Sequence, residues 1–320
     1  MGEDALLRRL CVAVAIIKSC DNYLPRLNIY VFYTIIMRVV LNFLELVFLW
    51  NFKMHPMLNI AVRAARAAGN LIARNIGQKD SFDISSKNKD DLVTSIDKQC
   101  EKVIVDTLLK SYRNHGILAE EGGALGDPQS EYQWIIDPID GTTNFVQDIG
   151  HCAVSIALRY AGKTEIGVVF DPLLNEMFTA SRGNGAFLNG RRIRVGQRIS
   201  LDGAIIGTAF PTRYRNRMSD YLQLFSSLID SCADVRRMGS ASLDLCYVAC
   251  GRFDGYLEQG LKPWDFAAGD LIVREAGGIV TDFKGAPDFI KSGNIVTGNP
   301  KVINALLSLC QKAPLSDEMK

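Results

Sequence analysis

The 320-residue sequence lacks the features that mark several large classes of protein. Its 36 Lys and Arg residues nearly balance 35 Asp and Glu residues, and a net charge of +1 excludes a basic nucleic-acid binder and an acidic disordered chain. Only three histidines occur, and the eight cysteines form no Cys-x-x-Cys pair, which excludes a zinc ribbon and a thioredoxin motif. We therefore expect a reduced, cytoplasmic, globular protein without direct sequence-specific DNA binding.

Residues 1–53 differ from the rest of the chain in charge and in hydrophobic pattern. Six basic and four acidic residues give this segment a charge of +2, and its apolar run from Leu27 to Trp50 contains only Arg38 and Glu45 as charged residues. The run is long enough to span a membrane, but each charge at the centre of a span costs about 2.5–3.5 kcal/mol. We expect a dispensable extension or the product of a misplaced start codon; a membrane anchor and an extra packed helix are the alternatives.

The remainder of the chain alternates between helical and strand patterns. The spacing of apolar residues predicts helices over 56–76, 91–112, 218–231 and 240–250, and a further helix that begins near Trp264 and is closed by Gly277 and Gly278. Apolar runs predict strands over 152–160, 165–171, 203–209 and 279–283, and one that delivers WIIDPID into a loop. The pair Asn189-Gly190 predicts a hairpin turn. Helices and strands in alternating blocks predict a layered α/β fold.

Acidic residues stand at the ends of several of these predicted elements. Glu120 and Glu121 follow the apolar GILA, Asp137 and Asp140 bracket Pro138-Ile139, and Asp97 and Asp265 lie near helix starts. Crowded carboxylates raise one another's pKa, and a divalent cation removes that cost. Oxygen ligands with no nearby histidine or cysteine favour Mg²⁺ over zinc. Gly141-Thr142-Thr143 adds a turn at a predicted helix start, where free backbone N–H groups can bind phosphate.

Each of these clusters is common when it occurs alone. A Glu-Glu pair is typical of a solvated loop, Asp-Pro-x-Asp-Gly of a turn, and Trp264-Asp265 of a packed aromatic residue followed by a helix cap. The complete set, in this order along one chain, is far less common. It predicts metal-dependent chemistry on phosphate esters.

Three motifs, AEEG, WIIDPIDGTTNF and PWDFAAGDLIVREAGG, resemble the signatures of the inositol monophosphatase family. The stretches MHPMLNIAVRAARAAGNLIARN and GLKPWDFAAGD are similar to its bacterial SuhB-type branch. The resemblance covers residues 54–310, which we expect to form the phosphatase domain, followed by a tail over 311–320. It implies an α-β-α-β-α sandwich related to fructose-1,6-bisphosphatase and a homodimer.

The resemblance also implies a role for individual residues. One Mg²⁺ would be held by Glu120, Asp137 and the Ile139 carbonyl, and a second by Asp137, Asp140 and Asp265. Glu120, Asp97 and Thr142 would be catalytic, with the Asp97–Thr142 pair orienting the attacking water. The resemblance further implies that the substrate is bound by a set of residues, some of which are also metal ligands: Asp140, Gly141, Thr142, Gly239, Ser240, Ala241, Glu258 and Asp265. In the family Ser240 is often Thr, a change that keeps the hydroxyl.

The function implied is Mg²⁺-dependent hydrolysis of inositol-1-phosphate by direct attack of water, inhibited by lithium. Fructose-1,6-bisphosphatase, phosphoadenosine phosphate nucleotidase and histidinol-phosphatase activities share the same metal ligands and stay open. Glu258 and residues 211–217 and 236–241 line the leaving-group side in the family and would decide between them. His115 and His151 lie in no nucleophile motif, and Cys152 is expected to be a strand thiol.

A binding role is the alternative of a different class. The SuhB-type branch is associated with transcription antitermination, in which the protein binds the transcription machinery. A basic surface for such a partner would be formed by Arg213, Arg215, Arg217, Arg236 and Arg237. The same arginines are equally typical of a solvated loop and a dimer edge.

The sequence generates one prediction about residues 1–53. Every implied ligand lies at or beyond Asp97, and Pro56 is suited to the first turn of a helix because its missing N–H would have no helical partner. A chain of residues 54–320 is therefore expected to keep the specific phosphatase activity and melting temperature of the full chain. Aggregation of the shorter chain, or membrane fractionation that only the full chain shows, would contradict this.

Overall fold

The computed structural model describes residues 55–78, 82–88, 91–211, 215–216, 218–287 and 289–316. The chain divides into two units, Met1–Met54 and His55–Lys320, and the description concerns the second. The expectations for residues 1–53 lie outside the described residues. Within the described ranges, no helix has the length and hydrophobicity that crossing a membrane requires.

Eight helices and fifteen strands are assigned in these ranges. The helices are α1 (Pro56–Asn75), α2 (Ser95–Ser111), α3 (Thr142–Val146), α4 (Met218–Ser231), α5 (Ala241–Ala249), α6 (Pro263–Glu275), α7 (Phe289–Ser292) and α8 (Val302–Lys312). The strands are β1 (Ile84–Asn88), β2 (Asp91–Thr94), β3 (Gly116–Ala119), β4 (Gly123–Gly126), β5 (Tyr132–Asp140), β6 (Ala153–Tyr160), β7 (Lys163–Asp171), β8 (Glu176–Ser181), β9 (Gly185–Leu188), β10 (Arg191–Arg192), β11 (Ile205–Thr208), β12 (Asp234–Arg236), β13 (Gly255–Glu258), β14 (Ile279–Thr281) and β15 (Ile295–Gly298).

Two large sheets and three helical layers alternate. The eight-stranded sheet has the order β10-β9-β8-β7-β6-β5-β3-β4, and the five-stranded sheet has the order β12-β11-β13-β15-β14. Helices α1 and α2 cover one face of the larger sheet, α5 and α6 lie between the sheets, and α4 and α8 cover the outer face of the smaller sheet. The predicted α-β-α-β-α sandwich is confirmed.

Side-chain alternation along β5 shows how the sequence builds these layers. Trp134 and Ile136 are buried against α1 and α2, whereas Ile135 is buried in the core beneath α5 and α6. Successive strand residues point to opposite faces, so an unbroken apolar run is needed when both faces are covered. Between Gln133 and Asp137, β5 contains only apolar residues, as a strand at the centre of the fold requires.

Two predicted boundaries are corrected. Residues 91–94 form β2, antiparallel to β1, and the helix predicted from 91 begins only at Ser95. Thr94 is its N-cap, in extended conformation, and forms a reciprocal capping box with Asp97. The strand predicted to end in a loop at WIIDPID instead continues through Asp140, with a register shift against β6 between Asp137 and Asp140.

Other predicted turns and helices are confirmed. The predicted turn at Asn189-Gly190 has positive φ at both residues and connects the antiparallel strands β9 and β10. Ala161-Gly162 has positive φ as well and connects β6 and β7. The helix predicted over 218–231 has those bounds in the structure. Helix α8 extends to Lys312, and Ala313 and Leu315 beyond it pack into the core under α4.

Helix α6 approaches the larger sheet closely at one glycine. A Cβ atom at Gly167 of β7 would lie 2.7 Å from the carbonyl oxygen of Ala268 in α6. Backbone cannot move aside as the end of a flexible side chain can, so this separation depends on glycine. Because α6 carries Asp265 in its first turn, the close approach also fixes the height of that residue above the sheet.

We expect Gly167→Ala to lower the free energy of unfolding by about 1–3 kcal/mol, the usual cost of overpacking. Gly150→Ala is the matched control, since its Cβ would meet only the Leu173 side chain at 3.7 Å. Denaturant unfolding of both variants measures the difference. Equal stability of the two would contradict a backbone-limited contact at Gly167.

Candidate active site

Sheet pairing brings the first acidic residues together. Strands β3 and β5 are parallel neighbours, with Ala119 opposite Ile136, so Glu120 and Asp137 follow side by side. The Glu120 N–H donates to the Ile136 carbonyl at 3.1 Å, which extends this pairing by one residue. Two carboxylates thus lie side by side, one just after β3 and one within β5.

A serine on β6, the sheet neighbour of β5, holds the start of α6, and with it Asp265, near Glu120 and Asp137. Ser155 of β6 is the register partner of Asp137. Its hydroxyl donates to the Trp264 carbonyl at 3.0 Å, immediately before Asp265. Asp265 is the third residue of α6, and its Oδ2 accepts from the Lys262 N–H at 2.7 Å. Asp265 is thus the third helical residue that caps the Lys262 N–H, and not the N-cap itself, which is Lys262. The same capped turn brings a carboxylate close enough to raise the pKa of Asp137 after burial, Glu120 and Asp140.

The carboxylates repel one another. Burial raises the pKa of Asp137 well above its usual range, and the charges of Glu120, Asp140 and Asp265 raise it further. Burial also raises the pKa of Asp265, with Asp140 the largest contributing charge. These mutual effects show that four carboxylates from three elements share one region of low dielectric constant.

Asp140 is anchored differently from Asp137. Its Oδ2 accepts three hydrogen bonds from the segment that starts α5: from Ser240 Oγ at 2.7 Å, and from Ser242 N and Oγ at 2.7 and 2.5 Å. Burial still raises its pKa, and these bonds oppose the rise. The Ser240 hydroxyl, for which a substrate contact was expected, is thus directed at Asp140 in this structure.

Asp97 and Thr142 meet beside this cluster. Thr142 Oγ1 lies 3.1 Å from Asp97 Oδ1 and 3.0 Å from the Ile139 carbonyl oxygen. Asp97 Oδ2 accepts from the backbone N–H and the hydroxyl of Thr94. Burial raises the pKa of Asp97 to about 6, although the bonds from Thr94 lower it. The pair therefore combines a hydroxyl with a carboxylate that titrates just below neutral pH.

Gly141 turns the chain from β5 into α3. Its φ of 93° lies in the left-handed region, and a Cβ there would stand 3.1 Å from the carbonyl oxygens of both Gly239 and His151. Gly239, itself at φ 92°, leads into Ser240 and α5. The turn at Gly141, which is predicted to bind phosphate, thus lies against the backbone of Gly239, which is predicted to contact the leaving group.

Glu258 ends β13 on the far side of the cluster. It is half-buried, and its charge contributes to the raised pKa of Asp265 after burial, Asp140 and Glu120. Ala241 is the first residue of α5 and lies beside Ser242, which holds Asp140. Each implied site residue therefore lies at or next to one shared region.

A comparison with known sequences identifies the chain. The profile of the inositol monophosphatase family matches residues 53–314. The chain belongs to the inositol monophosphatase family.

Relatives and solved structures agree with this membership. Nus factor SuhB of Escherichia coli K12 is 54% identical over 267 residues, which cover 83% of this chain and all of the relative. The crystal structure of extragenic suppressor protein suhB from Bartonella henselae matches with a TM-score of 0.77 and 41% identity, covering 79% of this chain and 98% of that one. Inositol monophosphatase from Anabaena matches with a TM-score of 0.71 and 37% identity, covering 80% and 96%.

The inositol monophosphatase family is generally Mg²⁺-dependent, and the residues here fit that metal. Among the described residues, no three His, Cys, Asp or Glu side chains already stand at the mutual geometry of a bound ion. The chemistry of the donor set nevertheless suits a hard cation, because the pKa values of Asp137 and Asp265 are raised by other carboxylates. A divalent cation would remove this repulsion.

Four positioning residues were not singled out from the sequence. Glu101, buried in α2, accepts from the N–H groups of Glu121 and Gly122 at 2.8 and 2.7 Å and so holds the turn after β3. The amide of Asn144 donates to the carbonyls of His151 and Met238 at 2.7 and 2.9 Å. Ser155 and Ser242 are the others. The buried polar residues Asn144 and Ser155 within apolar stretches were the available signal.

The other nucleophile candidates lie outside this chemistry. His115 accepts from the Trp134 indole N–H at 3.1 Å and stacks between Tyr112 and Tyr132. Burial strongly raises the pKa of the Cys152 thiol, so this group stays protonated and is a poor nucleophile near neutral pH. Burial lowers the pKa of His151 to about 4, so its imidazole is neutral, and its side chain is buried.

The arginine surface is only partly described. Arg213 and Arg217 lie outside the described residues, and Arg215 is exposed. Arg236 pairs with Asp234 at 2.5 Å on β12, and both side chains are about half exposed. A solvent-exposed pair of this kind is worth little to stability.

The crowding of carboxylates generates a prediction for the metal-free protein. The folded-state pKa of Asp137 is raised, so the charged form destabilises the fold above that pKa, and the penalty disappears as pH falls toward about 4. Asp137→Asn should therefore raise the free energy of unfolding near pH 8, and this gain should shrink as pH falls toward about 4.

Chemical denaturation with a chelator present, repeated at several pH values, measures this gain. Asp202→Asn is the control, because Asp202 is exposed. A gain that stays constant with pH, or one equal in both variants, would contradict the proposed repulsion.

Proposed function

We propose that the protein is a phosphomonoesterase that hydrolyses inositol-1-phosphate to inositol and phosphate with Mg²⁺. Family membership supports phosphatase chemistry. The observation that carries the proposal is the meeting of four carboxylates with a Thr–Asp pair at one site. When bound, Mg²⁺ supplies charge neutralisation and activates water for attack on phosphorus.

The proposed ligand set is the one that the family resemblance implies. Glu120, Asp137 and the Ile139 carbonyl would hold one ion, and Asp137, Asp140 and Asp265 a second. Asp137 is central because it is more buried than Glu120 and Asp140, and because the charges of Glu120, Asp140 and Asp265 all add to the effect of burial in raising its pKa.

Thr142 and Asp97 would handle the proton of the attacking water. The single proton of the Thr142 hydroxyl can be donated to Asp97 or to the Ile139 carbonyl, and in either case the oxygen lone pairs can accept from water. The proton can then pass toward Asp97, whose pKa of about 6 keeps most of it ionised near neutral pH. The N–H groups of the first turn of α3, which lack helical partners, would bind the phosphate with Gly141.

The leaving group would lie toward Gly239, Ser240, Ala241 and Glu258. A leaving group that carries hydroxyls suits this side of the site, because the Glu258 carboxylate accepts hydrogen bonds from hydroxyls and repels a second phosphate. This favours a polyol monophosphate over fructose-1,6-bisphosphate and phosphoadenosine phosphate. A phosphate-release panel with the three compounds tests the choice, and greatest kcat/KM on a bisphosphate would reverse it. We propose further that the enzyme is a cytoplasmic homodimer.

A second function is favoured by the names of the relatives. The protein of Escherichia coli that is 54% identical is called a Nus factor. We propose on this ground that the chain also binds the transcription machinery. If binding alone serves the cell, a catalytically dead Asp137→Asn protein will restore growth to a strain lacking the gene; if hydrolysis is required, it will not.

Asp137→Asn is expected to lower phosphatase activity more than tenfold, on the order of 10²-fold or beyond, because a neutral amide is a poorer ligand for Mg²⁺ than a carboxylate. Phosphate release at saturating Mg²⁺ measures the loss, and circular dichroism checks that the variant is folded. Retention of most of the activity would rule out Asp137 as a bridging ligand.

Lithium is expected to inhibit. Li⁺ is close to Mg²⁺ in size and accepts oxygen ligands, but it carries half the charge and so stabilises the developing negative charge less. Phosphate release should fall as LiCl replaces NaCl at fixed ionic strength. Equal rates in the two salts would count against an all-oxygen site of this size.

A further inference from the structure

The outer faces of α1 and α2 carry an excess of positive charge. Both helices bury their apolar side chains against the same face of the larger sheet, so their exposed side chains point away from that sheet. Residues 55–78 and 95–113 contain seven exposed basic side chains: Arg63, Arg66, Arg74, Lys98, Lys102, Lys110 and Arg113. Asp106 is the single exposed acidic side chain in these two ranges. Seven positive charges against one negative charge leave this surface with a surplus of six.

On α1 the exposed residues form a stripe of side chains that can donate hydrogen bonds. At 3.6 residues per turn, Asn59, Arg63, Arg66, Asn70 and Arg74 fall within an arc of about 80° and extend over about 22 Å of the helix. All five are exposed, and residues 56–75 include no Asp or Glu. Surface helices gain stability from acidic residues one turn away from basic ones, and α1 contains no such pair.

The three arginines of this stripe have no acidic partner in the described part of the chain. None of them forms an ion pair with a described carboxylate. The Arg66 guanidinium instead lies over the Phe170 ring, 5.4 Å from its centroid. Arg63 and Arg66 are three residues apart and so are neighbours on the helix surface, where like charges repel each other. An external anion would remove this repulsion.

The composition of the surface favours a phosphate backbone over an acidic protein or a lipid membrane. Large exposed hydrophobic side chains occur elsewhere in the described residues, but none lies in α1 or α2. The core of a protein–protein interface is apolar, and a helix that binds in the plane of a membrane buries an apolar face, so both need side chains that this surface lacks. Arginine, lysine and asparagine, by contrast, are side chains that donate to the phosphates of nucleic acids.

We propose that the outer faces of α1 and α2 bind the sugar-phosphate backbone of a nucleic acid independently of its base sequence, with Arg63, Arg66 and Arg74 as the central contacts. Neither helix contains Phe, Tyr or Trp, so the bases find no aromatic ring on which to stack. The total charge of the chain excludes a protein that is basic overall, whereas contacts with phosphates need only one basic face.

The test measures binding of the full chain to a fluorescein-labelled oligouridylate by fluorescence anisotropy at several KCl concentrations. Affinity should fall as salt rises, because each neutralised phosphate releases counterions. In the triple variant Arg63→Gln, Arg66→Gln and Arg74→Gln, the slope of log K against log[KCl] should become shallower by about 2, since each contact with a single strand contributes about 0.7. Near 0.1 M salt this is a loss of affinity on the order of 10²-fold. Glutamine keeps α1 helical, because its helix propensity is close to that of arginine.

A second triple variant, Arg191→Gln, Arg192→Gln and Arg194→Gln, is the matched control. These arginines are also exposed, but they lie on β10 and just after it, outside α1 and α2. The control loses the same charge and should keep the wild-type affinity and slope. Equal losses in the two variants would overturn the proposal, since net charge alone would then account for binding, and so would an unchanged slope in the α1 variant. All three proteins carry residues 1–53, so that segment contributes equally to each measurement.

Competition identifies the class of polyanion. Unlabelled oligouridylate should displace the probe at a lower concentration of charge than poly-glutamate or phosphatidylserine vesicles. More effective displacement by poly-glutamate or by the vesicles would overturn the assignment to a nucleic acid, as would the absence of oligouridylate binding at low salt. An oligocytidylate should compete as well as the oligouridylate, and a large preference for either would contradict contacts limited to the backbone.

Phosphate release separates this inference from the proposed phosphatase function. Helix α1 contributes no residue to the candidate active site, so the α1 variant should hydrolyse inositol-1-phosphate with the kcat/KM of the wild type. A wild-type chain that hydrolyses the ester but binds no oligouridylate refutes only the inference. A chain that binds the oligouridylate and releases no phosphate refutes only the phosphatase function.

Discussion

The repulsion among carboxylates around Asp137 is the constraint on which the rest of the site depends. The fold buries Asp137 between two sheet neighbours and then adds three more acids, each of which raises the cost of ionisation. Such an arrangement is unfavourable for stability by itself. The surrounding backbone fixes where these side chains lie: Asp137 and Asp140 belong to the last residues of a central strand, and Asp265 occupies the capped first turn of α6.

Neutral groups hold Asp140, Asp265 and Asp97 in place. Two serines hold Asp140, the Lys262 N–H holds Asp265, and Thr94 holds Asp97. Hydroxyl and amide donors restrict each carboxylate to one orientation and leave its negative charge largely uncompensated. A cation that enters the site therefore meets oriented oxygens whose charge has no internal partner among these donors.

The sequence predicted the layered fold and the acids of the site because both depend on short-range patterns. The apolar runs of strands that are buried on both faces and the Asn189-Gly190 turn are local signals. Each acidic motif is likewise a short contiguous stretch of sequence. The extent of β5 could not be predicted, because Pro138 within Asp137–Asp140 is typical of a turn, and only pairing with β6 through a register shift keeps it in the sheet. The roles of Ser155 and Glu101 were also hidden, since each bonds to backbone more than fifteen residues away.

The two hydrogen bonds of the Asn144 amide have a consequence for how this fold diversifies. The NH₂ group of Asn144 donates to the carbonyls of both His151 and Met238. Gly141 lies between these two backbone segments, where there is no room for a side chain. These contacts fix the path of the main chain at the proposed phosphate turn without the help of any substrate group. On such a scaffold, a change of substrate preference would be expected to come from side chains that project from this path.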